Sequence, residues 1–303
     1  MAKINVPSRP WHSRAFLKHL VWTAASSLQL GGLCPFELQS DWITVNRLPM
    51  PISNLGREFQ GARIAHISDL HSSPVVLESY LRKCVRIVNG LNVDFVVVTG
   101  DLVTGPKYYA RGAAAALKEL TPRVATLAVL GNHDYGLFHP GNTVTRGLAD
   151  YIQEQLSWAG VFVLRNELKT FRIGTSTLQF VGLDDYWTQF NPEQAFGMFN
   201  PIRPAITLCH NPDAAPALLK YGASWMLAGH THGKVTPPYP ILGRLLPMEQ
   251  RHLVAGHYQL GSQQHLYINR GLGHSWRVRT CDRPEITLLT LCEANAAAEA
   301  EAA

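Results

Sequence analysis

The chain has 303 residues, 46% hydrophobic and 16% charged, which excludes a disordered protein and is long enough to bury a sizeable core. Its 27 Lys and Arg against 22 Asp and Glu give a net charge of +5, too small and too dispersed to mark a nucleic-acid binder, though suited to an anionic substrate or membrane face. The five cysteines (Cys34, Cys84, Cys209, Cys281, Cys292) are odd in number, widely spaced and without a Cys-x-x-Cys, so a disulfide framework or a Cys-ligated zinc site is disfavoured and reduced thiols in a cytoplasmic setting fit best.

Residues 1–56 differ from the rest and read as an N-terminal leader or membrane-proximal extension. Ser13-Arg14-Ala15-Phe16-Leu17-Lys18 followed by the mildly apolar 19–33 resembles a twin-arginine export signal, but Ser13 stands where the first arginine belongs. The apolar stretch is shorter than the roughly 20 residues that span a bilayer. Three readings stay open: a decayed leader, an amphipathic segment on the membrane face, or a helix packed on the domain; export fits least well.

From Gly61 onward strands alternate with helical stretches. Residues 63–68 form a short apolar run, and 74–89 have helical spacing between Pro74 and the stop at Gly90. Phe95-Val96-Val97-Val98 and 124–130 are continuous apolar runs, as in strands buried on both faces. Residues 113–120 and 147–158 read as helices. Strands then dominate, at 162–164, 178–181, 205–208, 225–227, 265–268 and 285–291, with a short helix at 212–221 and a Pro-rich loop at 237–247. The pattern predicts an α/β layered domain over 57–292, followed by an Ala/Glu-rich tail, 293–303.

Five of these strands end in Gly, Asp, Asn or His: Asp69-Leu70-His71, Gly100-Asp101, Gly131-Asn132-His133-Asp134, His210-Asn211 and Gly229-His230-Thr231-His232. In open α/β sheets ligands bind beyond the carboxyl ends of the strands, so these side chains are expected to converge on one crevice. That much polar and charged chemistry is costly to bury without partners, and cations would satisfy it. Mixed Asp and His donors favour Mn, Fe, Zn or Co over Ca, with Mg also open. Each piece alone is a common accident; all five in order, each after an apolar run, are not.

The series resembles the calcineurin-like metallophosphoesterase superfamily, and the similarity runs over about 57–292. The resemblance implies a four-layer αββα sandwich, two mixed β-sheets flanked by helices, with a two-metal site at the strand ends. It implies that Asp69, His71 and His232 bind the first divalent metal, that Asn132, His210 and His230 bind the second, and that Asp101 bridges both around a shared water or hydroxide. It places His133 beside the leaving group, with Asp134 orienting it, and Asn132 also within reach of substrate.

Other positions narrow the branch. The Arg that Ser/Thr protein phosphatases carry shortly after Gly-Asp is absent from Leu102-Val103-Thr104-Gly105-Pro106, and Thr104 replaces the Tyr that purple acid phosphatases need. Residues 266–273 and 283–289 resemble bacterial phosphodiesterases, a branch that includes UDP-2,3-diacylglucosamine pyrophosphatases of lipid A synthesis. The expected reaction is therefore hydrolysis of a phosphodiester or pyrophosphate, with a phosphate-containing small molecule or a nucleotide-linked lipid as partner, no nucleic acid, and peripheral contact with the inner membrane from the cytoplasmic side. A general phosphodiesterase or phosphomonoesterase and a non-catalytic scaffold are the rivals. Arg270 is read either as a phosphate clamp or as the partner of a carboxylate near the metals. Lys234 reads as solvated, Arg277, Arg279 and Arg283 as surface or structural, and Asp184 and Asp185 as loop or capping residues. Trp187, Phe190, Phe196 and Phe199 could line an acyl-binding wall, although core packing is the default for aromatics.

Overall fold

A computed structural model describes residues 43–138, 142–233, 248–273 and 283–294. The expectations for 1–42, Lys234, the Pro-rich loop, Arg277, Arg279 and the tail beyond 294 lie outside the described residues.

Two six-stranded sheets pack face to face. The first has the order β1-β12-β2-β3-β4-β5, built from β1 (Thr44–Ile52), β2 (Arg63–Ile67), β3 (Phe95–Thr99), β4 (Ala125–Val129), β5 (Val161–Val163) and β12 (Glu285–Glu293). Here β2 to β5 run parallel, while β12 pairs antiparallel with β2 and parallel with β1. The second has the order β10-β11-β9-β8-β7-β6, from β6 (Glu167–Ile173), β7 (Ser176–Gly182), β8 (Ala205–Leu208), β9 (Trp225–Ala228), β10 (Gly256–Gln259) and β11 (His265–Ile268). Its four inner strands are parallel and its edge strands antiparallel.

The period-2 alternation of β3 explains the layering. Phe95 and Val97 point between the sheets, where they meet Phe180, Ile206, Leu227 and Trp225. Val96 and Val98 point the other way, against α1 (Glu78–Gly90), α2 (Tyr109–Leu117) and α3 (Leu148–Trp158). Helix α1 buries Tyr80, Leu81, Cys84, Val85 and Val88, one stripe at helical spacing. The outer face of the second sheet is covered by the short helices α4 (Pro192–Ala195) and α5 (Ala215–Leu218) through Val181, Cys209, Met226 and Leu266. These are the expected four layers.

Boundaries differ in three places. Residues 44–52, read as part of the extension, are the edge strand of the first sheet. Pro49 and Pro51 hid it: two residues apart on an edge strand, they share the side that has no ladder partner among the described residues, and the Pro51 carbonyl accepts from Trp225 Nε1 at 2.7 Å. Helix α1 starts at Glu78 because the Ser73 hydroxyl takes the Val75 and Val76 N–H groups and turns the chain first. Strands β6 and β10 have polar, exposed alternation and escaped the apolar-run criterion.

Candidate metal centre

Loops after β2, β3 and β4 of one sheet and after β8 and β9 of the other meet at the same end of the sandwich. They bring together Asp69, His71, Asp101, Asn132, His210, His230 and His232, of which only His230 is more than slightly exposed. Eight non-glycine residues among those described have positive φ. Three are asparagines, which tolerate it; the other five are Asp69, His71, Asp101, His230 and His232, at 47–73°. Left-handed backbone is costly for such residues, and its concentration here marks a site where geometry overrides local preference. Gly229 permits the closeness: a Cβ there would collide with the Ser68 hydroxyl and the Asp69 carboxylate.

The side chains form two clusters joined by one carboxylate. Nε2 of His71 lies 2.9 Å from Nε2 of His232 and 3.8 Å from Oδ1 of Asp69, and Nε2 of His232 is 3.1 Å from the same oxygen. Nε2 of His210 lies 3.2 Å from Nδ1 of His230. Oδ2 of Asp101 is 3.7 Å from Nε2 of His71 and 3.2 Å from Nε2 of His210, so it reaches both groups. Donor atoms of Asp69, His71 and His232, and separately of Asp101, His210 and His230, lie within 4.8 Å of one another.

The family model for calcineurin-like phosphoesterases matches residues 62–234, the stretch that carries every one of these side chains. The chain belongs to the calcineurin-like phosphoesterase family. UDP-2,3-diacylglucosamine pyrophosphatase LpxG of Chlamydia trachomatis is 30% identical over 297 residues, covering 84% of this chain and 90% of that protein. An uncharacterized metallophosphoesterase of Bacillus subtilis, YkuE, is 30% identical and covers 93% and 98%. Phosphodiesterase YaeI of Escherichia coli is 31% identical and covers 76% and 82%. As a calcineurin-like phosphoesterase the chain is a metal-dependent hydrolase of phosphoric esters, and the family implies divalent metals.

The donor set of this family member suits such ions. Asn132 donates its Nδ2 to the Leu137 carbonyl at 2.7 Å, which leaves its buried Oδ1 with no hydrogen-bond partner and fixes which amide atom is offered to a cation. Nδ1 of His210 is held by the Thr99 carbonyl at 2.7 Å and Nδ1 of His71 by the Thr104 hydroxyl at 2.6 Å, so both rings present Nε2 inward. Thr99 and Thr104 were not legible as site residues; Thr104 entered only as a departure from another subfamily.

Electrostatics follow from burial and charge. Burial drives the His71 imidazole well below its usual range, against the pull of Asp101, and drives His230 to about 3. Burial opposes a charge on His210 as well, but the adjacent Asp101 carboxylate wins and raises it to about 10. Burial works to raise Asp101 too, yet His210 and His133 hold it well below the carboxylate range.

The remaining predicted residues sort by their partners. His133 sits beside the clusters, its Nε2 3.9 Å from Oδ2 of Asp101, with its ring edge-on to Phe138 at 4.7 Å. Asp134 lies beneath them. Its Oδ1 accepts from the Leu102 and Val103 N–H groups at 2.9 and 3.1 Å and its Oδ2 from Gly131 at 3.0 Å, a backbone clamp rather than the orienting bond to His133 expected above. Arg270 has its Nε 3.9 Å from the buried Glu285. Asp184 pairs with Arg165 at 2.9 Å and accepts from the Tyr135 hydroxyl at 2.7 Å, and Asp185 caps the Trp187 N–H at 3.2 Å. Of the four candidate wall aromatics, Trp187 reaches the centre, edge-on to His230 at 5.2 Å. Phe196 stacks on Tyr221, and Phe190 and Phe199 pack in the outer layer, so the default core reading holds for those three.

Proposed function

We propose that the chain hydrolyses a phosphodiester or pyrophosphate bond, and that its substrate is a nucleotide-linked lipid such as UDP-2,3-diacylglucosamine, cleaved to UMP and a lipid monosaccharide phosphate. Two divalent cations would neutralise phosphate oxygens and make water acidic enough to attack near neutral pH. Asp69, His71 and His232 would hold the first, Asn132, His210 and His230 the second, and Asp101 would face both. His133, at the solvent side of Asp101, donates a proton to the departing oxygen. Asp134 keeps the loops after β3 and β4 in register so that Asp101 and His133 stay opposed.

The lipid reading rests on the rim. The loops after β2, β3 and β4 expose Leu77 (55%), Tyr108 (58%), Phe138 (48%) and Val144 (44%), all on βα loops at the end that carries the metal centre. Apolar side chains exposed around the mouth of a site suit an apolar substrate chain, and Trp158, Met198 and Ile202 are exposed elsewhere on the surface. Lys107 and Arg111 in the same region suit an anionic headgroup layer. No helix among the described residues is long and apolar enough to cross a membrane. The identities to LpxG and the named phosphodiesterase activity of YaeI frame the choice of substrates to compare.

The test is UMP release from UDP-2,3-diacylglucosamine with Mn, beside release of p-nitrophenol from bis(p-nitrophenyl) phosphate. Preference for the lipid nucleotide supports the reading. Turnover of the simple diester alone moves the chain to a general phosphodiesterase.

A further inference from the structure

The metal centre holds two pairs of imidazole nitrogens in close approach, at 2.9 Å for His71 and His232 and 3.2 Å for His210 and His230. A third such pair lies elsewhere. His257 on β10 and His265 on β11 place Nε2 and Nδ1 3.1 Å apart. In the antiparallel register His257 stands opposite Tyr267 and His265 opposite Gln259, so the two are diagonal neighbours on one sheet face.

Packing fixes both rings. Each lies nearly flat on the Trp225 indole, with centroids 5.1 and 4.7 Å away and planes 18° and 24° from parallel. Trp225 is itself buried and tied to the Pro51 carbonyl. The rings therefore approach any ligand pre-oriented. At metal–nitrogen bonds of about 2.05 Å, nitrogens this far apart subtend an angle of about 98°, between the square and tetrahedral values. Partial desolvation lowers both imidazoles from their usual range, which favours the neutral rings that an ion binds. His257 is exposed, leaving the remaining coordination positions open to water.

The pair is remote from the hydrolytic centre. His265 pairs with Trp225 at the start of β9, and His230 follows the far end of that strand, five residues or about 16 Å away at the rise of a strand. We propose that His257 and His265 form a separate site for one divalent cation of imidazole-preferring type, zinc, nickel or copper, which clips the edge strand β10 to β11. Strand β10 has four residues and, among the described residues, one neighbouring strand, so a cross-strand chelate acts at an edge of the sheet.

The experiment compares bound nickel after equilibrium dialysis in the wild type, His257→Ala, His265→Gln and Asp101→Asn, with the melting temperature of each read with and without nickel. The wild type is expected to bind one nickel more than either outer-site variant, and Asp101→Asn to keep that extra ion. Nickel should raise the melting temperature of the wild type by more than that of His257→Ala, and His257→Ala should keep wild-type hydrolysis of bis(p-nitrophenyl) phosphate. Equal nickel counts in the wild type and both outer-site variants would overturn the proposal and leave a hydrogen-bonded histidine pair. Loss of the extra ion in Asp101→Asn would overturn its independence from the hydrolytic centre.

Discussion

The backbone N–H of His133 donates to Oδ1 of Asp101 at 2.9 Å, so the loop after β4 grips the carboxylate presented by the loop after β3. The other oxygen, Oδ2, is the one that faces His71 and His210. One side chain thus ties two loops together and joins two donor clusters. Asp101→Asn retains an acceptor for His133 but removes the charge. Turnover is expected to vanish while the far-UV spectrum stays native; near-normal hydrolysis would exclude a bridging role.

His133 is half-buried against Phe138 and His71, and its ring nitrogen groups with His71 and Asp101, while Asp69, His71 and His232 and, separately, Asp101, His210 and His230 make three donors without it. His133→Ala is expected to keep its metals and to slow esters with poor leaving groups by about 10²–10⁴-fold, with a smaller loss for p-nitrophenol. The check is a leaving-group series. An equal loss across the series would contradict proton donation.

Asp134 illustrates a residue whose motif position suggests catalysis while its contacts are structural. Burial and the Asp101 charge hold its carboxyl well above the usual range, against the pull of the Gly131 and Val103 N–H groups. Asp134→Ala would leave three buried donors without an acceptor. The expected cost is on the order of 3 kcal/mol in urea unfolding, with metal affinity lost alongside. Full stability with a selective loss in kcat would restore a direct catalytic role.

His66 gives a pH signature outside the ligand set. It is fully buried, its Nε2 pairs with the Thr99 hydroxyl at 2.8 Å, and burial lowers its pKa to about 3, Asp69 opposing. Above pH 6.5 it is neutral folded or unfolded. As the pH falls from 6.5 towards 3 the unfolded chain gains a proton that the folded one refuses, so stability declines. Between pH 6.5 and 5 the metal-free wild type should lose about 1.6 kcal/mol more than His66→Gln in urea unfolding. Parallel pH profiles would show that His66 is accessible to protons in the folded state.

The legible parts of the sequence were those where one physical cause dominates. Strands β3 and β4 read as buried because both faces are apolar, and the Gly, Asp and His after each strand pointed to one crevice because parallel strands end together. What sequence hid depends on partners far along the chain. The prolines of β1 are tolerated because β12 lies on one side and no strand among the described residues lies on the other. Thr99 looks like the last residue of an apolar strand, yet its carbonyl accepts from both Ser68 and His210. Asp185 has a carboxyl raised to about 7 by burial, with His210 lowering and Asp101 raising it, which no local pattern around residues 184–185 announces.

The most direct measurement is the manganese content of purified protein dialysed against Mn, determined by elemental analysis for the wild type and Asp101→Asn. The account predicts two ions per chain in the wild type and a deficit in the variant, with hydrolysis tracking occupancy. A wild type that folds, binds no manganese and still cleaves bis(p-nitrophenyl) phosphate would contradict it.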